Sequence, residues 1–141
     1  MASLDTFGKR MQARADRIRL ARNKLVGDVG VTVLRKVAFR TPYATGRARS
    51  NWIVQLDSRA KYSYFANSYG GAFGANNAVA RGTPVAISYN GKLNTSLHIT
   101  NNLVYIVPLN EGHSDQAPSG YVQKEMLAAV RLVVARYRLG D

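Results

Sequence analysis

The sequence predicts an α+β protein with a long helix at each end of an antiparallel β-sheet. Three observations predict it. Apolar residues recur at helical spacing over residues 9–40, several β-prone runs lie within residues 50–109 on either side of an inserted segment 58–82, and a second helical pattern covers residues 118–139. Because helices at the chain ends enclose the strands, both helices are expected on one face of the sheet. The 141 residues suit one domain, 1–141.

Composition narrows the class of protein. Cysteine is absent, so no disulfide or thiolate metal site exists, which fits a protein assembled in a reducing cytoplasm. No run approaches the ~20 apolar residues needed to cross a bilayer. The N-terminal region lacks the uninterrupted apolar segment of a signal peptide. We therefore expect neither a membrane partner nor a cofactor.

Positive charge is concentrated in the first third of the chain. The chain has 20 basic and 8 acidic residues, a net charge of +12; residues 1–49 hold 12 basic and 3 acidic side chains, or +9. This segment predicts contact with a polyanion or with an acidic protein surface, and a solvated helix face is the alternative. The candidate contact residues are Arg10, Arg14 and Arg17. No RNA-recognition motif, zinc-finger spacing or P-loop accompanies them, so base-specific recognition is not supported.

The N-terminal pattern predicts a short lead-in over residues 1–8 and a helix over residues 9–40. Asp5 or Thr6 is the candidate cap of this helix. Its apolar stripe consists of Met11, Ala15, Ile18, Leu25, Val29, Val33 and Val37. Gly27 and Gly30 predict either one helix with a weak centre or two helices meeting near Gly27. The β-branched run over residues 29–33 leaves a strand open as a further alternative.

Residues 41–56 predict a helix end, a turn and a strand. Proline at position 42 pushes Thr41 out of the α region, and Gly46 permits a turn. Arg47 and Arg49 are suited to bidentate hydrogen bonds with carboxylates or phosphates. Residues 51–56 alternate polar and apolar, which predicts a strand with Trp52, Val54 and Leu56 on one face.

Residues 58–82 interleave aromatic side chains with glycines and asparagines, which predicts an extended arm inserted in the sheet. Its candidate contact residues are Tyr64, Phe65, Tyr69 and Phe73. Such an arm either packs on a neighbouring subunit or offers a stacking surface to nucleic acid. Further strands are predicted over residues 84–89, 96–100 and 103–109, with turns at Asn90-Gly91 and at residues 101–102.

The stretch 109–120 collects the side chains used in acid–base and nucleophilic chemistry. They are Glu111, His113, Ser114, Asp115 and Gln116. One interpretation is an active site. The other is a rigid loop that bonds its own backbone, fixes the angle between the last strand and the C-terminal helix, and docks on another protein. Adjacent His113 and Ser114 diverge in a strand, no nucleophile elbow exists, and His98 is the only other histidine, so we expect no catalysis.

Two stretches carry a resemblance to a known family. Residues 41–52 read TPYATGRARSNW, and residues 99–122 read ITNNLVYIVPLNEGHSDQAPSGYV. Together they resemble the neck or tail-completion proteins of tailed bacteriophages, and their order along the chain is the family's order. Val104, Ile106 and Tyr121 depart from the family pattern, where proline, alanine and methionine are usual. The departures affect packing positions.

The resemblance implies a non-enzymatic virion protein, assembled in the host cytoplasm, that forms a ring in the neck between head and tail. Rings of this family are commonly hexameric or dodecameric, bind adjoining connector and tail proteins, and surround a channel through which DNA passes with weak, non-specific contacts. Expected ring-interface residues are Arg47, Arg49, Trp52, Tyr64, Phe65, Tyr69, Phe73, Glu111, His113, Asp115 and Gln116. Glu111 is expected to pair with Arg47 or Arg49. Alternatives are a tail-terminator ring, a sequence-independent nucleic-acid-binding protein and a small hydrolase centred on Glu111 and His113.

Overall fold

The α+β prediction is confirmed. The structure, a computed structural model, describes residues 3–42, 46–64, 72–104, 106–112 and 116–139. The elements in chain order are α1 (Leu4–Arg40), α2 (Arg47–Ser50), β1 (Ile53–Leu56), α3 (Ala72–Ile87), β2 (Leu97–Thr100), α4 (Ile106–Asn110) and α5 (Tyr121–Leu139). The second half of α1 packs between α3 and α5 and against the two-stranded sheet, and the core forms where these elements meet.

Helix α1 is a single 37-residue helix, longer at its start than the predicted range 9–40. Ser3 caps it, because its Oγ accepts a hydrogen bond from the Thr6 amide at 3.3 Å, so most of the predicted lead-in is helical. Neither Gly27 nor Gly30 interrupts the helix. A Cβ on Gly27 would lie 3.1 Å from the Ala86 carbonyl oxygen, and one on Gly30 would lie 3.0 Å from Leu97 Cδ1. Both glycines therefore serve close packing.

Helix α3 replaces two predicted features, the end of the arm 58–82 and the strand over residues 84–89. Its small residues recur at helical steps and are buried against α1 and β1: Ala75, Ala78, Gly82 and Ala86. A Cβ on Gly82 would lie 2.5 Å from Leu34 Cδ2 and 2.7 Å from Val54 Cγ2, so a larger residue would displace these packed side chains. The sequence prediction was wrong because glycine, asparagine and Pro84 were interpreted as loop signals, while here small side chains allow a close helix contact.

The sheet is smaller than predicted. β1 pairs antiparallel with β2, from Ile53 opposite Thr100 to Leu56 opposite Leu97. The turn beginning at Asn90 links α3 to β2, so it is not a hairpin turn. The predicted strand over residues 103–109 is wrong: the Ile106 amide donates to the Leu103 carbonyl oxygen at 3.1 Å, and α4 follows. This run pairs with no described strand, and its Val104 is 94% exposed.

Helix α5 confirms the predicted C-terminal helix, although it begins at Tyr121 instead of residue 118. It runs antiparallel to α1, since Tyr121 lies beside Thr41 and the Tyr137 hydroxyl donates to Asp28 Oδ2 at 2.6 Å. Ala129 and Val133 from the predicted stripe are buried, whereas Met126 and Val130 are exposed. The last residue of the predicted end, Gly140, lies outside the described residues.

Candidate functional site

A buried polar junction holds together the carboxyl end of α1, the turn before β1 and the start of α5. Thr41 Oγ1 donates to the Val37 carbonyl oxygen at 2.6 Å and accepts from Trp52 Nε1 at 2.9 Å. The Tyr121 hydroxyl lies 3.3 Å from the same oxygen. Burial raises the pKa of Tyr121, and the hydrogen bond to Thr41 partly opposes that rise. The hydroxyl of Thr41 therefore connects three elements inside the protein.

Arg49 completes this junction. Its Nε donates to the carbonyl oxygen of Thr41 at 2.6 Å, and its Nη2 donates to that of Phe39, also at 2.6 Å. Carbonyl oxygens at a helix carboxyl end lack partners within the helix, and a cation there is favoured. Arg49 and Trp52 are 9% and 5% exposed. Their place inside the subunit corrects the expectation that they face another subunit, whereas Arg47 is exposed at the start of α2.

The base of the predicted arm is fixed by Asn51 and Arg81. The fully buried Asn51 accepts from the Tyr64 amide at 2.7 Å and donates to the Tyr64 carbonyl oxygen at 3.2 Å. The Arg81 guanidinium lies 3.8 Å from the centre of the Tyr64 ring and hydrogen-bonds the Ser50 carbonyl oxygen. Tyr64 thus already has one ring face covered. Of the other aromatic candidates, Phe73 is 51% exposed at the start of α3, and Phe65 and Tyr69 lie outside the described residues.

The loop before α5 is closed by Asn110, which the sequence analysis did not single out. Asn110 Oδ1 accepts from the Val122 amide at 3.0 Å, and its Nδ2 donates to Gln123 Oε1 at 2.9 Å. The Gly120 amide donates to the Asn110 carbonyl oxygen at 2.6 Å. Asparagine is a favoured capping residue, but Asn110 is the last residue of α4 and lies 11 residues before Tyr121, so a search for a cap directly before the helical pattern does not find it. The bonds of Asn110 join the end of α4 to the start of α5, and no described strand enters this loop. The predicted rigid corner remains a prediction, because residues 113–115 lie outside the described residues.

The acidic candidates of this loop do not form the predicted ion pair within the described chain. Glu111 is exposed, and no ion pair among the described residues joins it to Arg47 or Arg49. The basic residue that shares a surface cavity of about 510 Å³ with Glu111 and Gln116 is Arg40. His113 and Asp115 lie outside the described residues, as does Ser114. The described part of the chain therefore brings no acid–imidazole pair together at this loop.

The first half of α1 extends beyond the packed body. Residues 4–22 are exposed, apart from the half-buried Ala15. Arg10, Arg14 and Arg17 follow at steps of four and three, which places them on one side of the helix. The nearby acids have other partners: Asp5 pairs with Lys9 at 3.2 Å, and Asp16 pairs with Arg19 at 3.3 Å. The three arginines therefore form a basic face without an ion pair among the described residues.

An apolar groove of about 660 Å³, hereafter the apolar groove, lies beside this helix. Its floor is the α1 segment from Leu25 to Val37, and its walls come from α5 and β2. Asp57 fixes the outer end of the β2 wall, since it accepts from the Thr95 amide at 2.7 Å and from Asn94 Nδ2 at 3.0 Å. The hydrogen bond from the Thr95 amide, followed by that from Asn94, lowers the pKa of Asp57.

The described residues contain no group of three or more histidine and acidic side chains placed to hold a metal ion. In the same part of the chain, no helix is long and apolar enough to cross a bilayer. Comparison with protein-family models, with curated proteins and with solved structures gave no match.

Proposed function

We propose that this chain is a virion structural protein of a tailed bacteriophage that forms a ring in the neck, joining the DNA-filled head to the tail. The observation that carries the proposal is the pair of sequence blocks, residues 41–52 and 99–122, that resemble neck and tail-completion proteins. The protein is a subunit of a hexameric or dodecameric ring without catalytic activity or cofactor. Its partners are the adjoining connector and tail proteins.

The contacts between the two blocks support this interpretation. Asn101 Nδ2 of the second block donates to the Ala48 carbonyl oxygen of the first at 2.8 Å. Thr41 and Tyr121 join the blocks again at the buried junction. The described residues of the two blocks are therefore in contact where the end of α1 meets the start of α5. A contact of this kind is what a family of structural proteins would retain in its sequence.

The exposed half of α1 supports the second element of the proposal, a ring around DNA. The basic face of Arg10, Arg14 and Arg17 suits either phosphates in the channel or an acidic surface of the adjoining ring. A lumen through which DNA slides requires contacts that are weak, sensitive to salt and independent of base sequence. Arginines on an exposed helix face can make contacts of this kind with phosphates.

Electron microscopy tests the location directly. Because the chain has no cysteine, Ala13→Cys introduces a single gold-labelling position on the exposed half of α1. Gold at the junction of head and tail is the expected result, and deletion of the gene should leave separate full heads and finished tails. Gold at the distal tail end, or particles joined normally without the protein, would refute the neck assignment.

The same experiment separates the alternatives. A tail terminator would label the head-proximal end of free tails, and its deletion would give tails of irregular length. A sequence-independent nucleic-acid-binding protein, favoured by the same arginine face, would be absent from particles and would bind DNA as a free protein. If the purified protein binds DNA tightly and forms no rings, the nucleic-acid-binding function is the correct one.

A further inference from the structure

Apolar side chains lie bare on the half of α1 that leaves the packed body. Leu4, Phe7, Met11 and Ile18 are 89%, 62%, 49% and 59% exposed. Their spacing of three, four and seven residues places them on one face of the helix, hereafter the α1 stripe. The basic face of α1 lies beside this stripe. Large apolar side chains gathered on an exposed face mark a contact surface.

The α1 stripe continues into the floor of the apolar groove. Leu25 follows Ile18 by seven residues, and Val29, Val33 and Val37 follow at steps of four. One face of a single helix therefore begins as an exposed stripe and ends as the floor of a groove. The groove is open at its rim, where Met126 and Val130 of α5 are 48% and 37% exposed.

The lining of the groove defines the chemistry of its occupant. None of its described lining residues is charged. A phosphate backbone or an acidic peptide would lose its hydration there without gaining a partner. The occupant is therefore an apolar segment. The floor from Leu25 to Val37 spans 12 helical steps, or about 18 Å, and the α1 stripe spans 14 steps, or about 21 Å.

The stripe of the same molecule cannot fill this groove. Stripe and floor lie on one face of one continuous helix, so the stripe stays beyond the end of its own groove, along the helix axis, for as long as α1 stays helical. A second copy of the chain has no such restriction. It brings an apolar helix face of the right length and leaves its arginines at the rim, in water.

We propose that the α1 stripe of one copy occupies the apolar groove of a neighbouring copy. The two surfaces differ, so the contact is head-to-tail, and its repetition closes into a ring when the rotation between copies permits. The ring closure rests on the proposed neck function, whereas the contact between stripe and groove stands without it. In a ring built this way, Arg10, Arg14 and Arg17 of every subunit lie along the edge of its contact with the neighbouring subunit.

Photo-cross-linking on the full-length protein tests the contact. The absence of native cysteine lets Met11→Cys carry one benzophenone label on the stripe. Ala13→Cys, on the opposite side of the exposed helix, is the matched control. After irradiation of concentrated protein, Met11→Cys should give covalent dimers and larger species whose cross-linked peptides map to α5 or β2 at the groove. Ala13→Cys should give none at the groove.

A second pair of variants tests the groove itself in the labelled Met11→Cys background. Val130→Asp, at the rim, should abolish the cross-linked species, and Leu127→Asp, which is 50% exposed and outside the groove lining, should retain them. Circular dichroism verifies that both variants fold. Cross-links from stripe to stripe, cross-links outside the groove, or no cross-link from Met11→Cys would each overturn the inference.

The outcomes for contact and function differ. Cross-links at the groove in a protein that is absent from phage particles would support the contact and refute the neck function. Gold labelling at the neck, together with cross-links elsewhere on the subunit, would support the function and refute the contact.

Discussion

The guanidinium of Arg49 closes the carboxyl end of α1 by donating from Nε to the Thr41 carbonyl oxygen at 2.6 Å. A second donation reaches the carbonyl oxygen of Phe39, two residues nearer the helix centre. The arginine comes from the short helix α2, so this contact fixes where the chain turns after α1. It also explains why an arginine typical of anion binding lies buried in a chain with few acids.

Removal of this cap should lower stability strongly. Arg49→Met leaves two carbonyl oxygens without their charged donor, and we expect a loss of about 2–4 kcal/mol in the free energy of unfolding. Arg49→Lys should recover little, because an ammonium group cannot reproduce the guanidinium fork. The free energy of unfolding of each variant is measured by urea denaturation, with the fluorescence of the single tryptophan as the signal. Arg10→Met, on the exposed half of α1, is the control; equal losses in both variants would contradict the cap.

Thr41→Val tests the shared hydroxyl. The substitution keeps the shape but orphans Trp52 Nε1, so we expect destabilisation by about 1–3 kcal/mol. Tyr121→Phe removes only the longer contact of 3.3 Å and should cost about 1 kcal/mol or less. Thermal unfolding measures both values. A larger effect from Tyr121→Phe than from Thr41→Val would show that the junction is centred elsewhere.

The contact between Tyr137 and Asp28 should make stability depend on pH in the alkaline range. Burial, followed by the hydrogen bond to Asp28, raises the pKa of Tyr137 from its ordinary value of 10.0 to about 12. A folded-state pKa above the unfolded value means that this stabilisation is complete below pH 10 and is lost as pH rises toward 12. Allowing for solvent screening, we expect its size to be about 1 kcal/mol.

Tyr137→Phe isolates that contribution. Urea midpoints at pH 8 and pH 11 should show the variant to be less stable than the unsubstituted chain at pH 8, with the difference shrinking at pH 11. Lysine deprotonation affects both proteins alike, so it cancels in the difference. A difference that grows between the two pH values would contradict the assigned hydrogen bond.

The basic face of α1 should contribute to nucleic-acid or acidic-partner contacts without affecting the fold. Replacing Arg10, Arg14 and Arg17 by Gln should leave helicity unchanged and reduce the assembly of particles or their retention of DNA. Any DNA binding should lose up to about 3 units of its salt slope, roughly 0.9 for each phosphate contact removed. The control changes the same charge elsewhere: Arg59, Lys92 and Arg131 to Gln. If both triple variants have equal effects, the cause is the net charge of the protein and not the position of the arginines. If the Arg10, Arg14 and Arg17 variant gives normal infectious titres, the basic face is only a solvated helix face.

At the loop before α5, we expect Asn110 to matter more for stability than Glu111. Asn110→Ala removes a helix cap and should cost about 1–2 kcal/mol. Glu111→Ala should change stability by less than about 0.5 kcal/mol, because the side chain is exposed and has no ion pair among the described residues. If Glu111→Ala blocks ring formation but leaves the stability of the monomer unchanged, the Glu111 carboxylate acts at the contact between subunits. If it destabilises the monomer as much as Asn110→Ala, the carboxylate takes part in the fold.

The sequence by itself determined the two terminal helices, the strands at residues 53–56 and 97–100, the concentration of charge in α1 and the α+β class. Each depends on periodicity or composition, which local chemistry sets. It did not determine α3, and it predicted more strands than the two that the described residues contain. There, Gly82 and the alanines of α3 are buried only because α1 and β1 approach closely, and a propensity scale treats the same residues as loop formers. The β-prone residues 103–109 likewise became a turn and α4 because no described strand pairs with them.

Only the tertiary structure decided what the polar residues do. Arg47 and Arg49 are two residues apart and identical in type, yet the first is exposed and the second is buried against the end of α1. The sequence could not distinguish them, because the carbonyl oxygens that Arg49 satisfies belong to Phe39 and Thr41, and their position depends on the turn between the helices. In the same way, the apolar spacing of α1 predicted one continuous stripe. Only the packing of α3, α5 and the sheet determined that its second half is a core and a groove floor while its first half remains exposed.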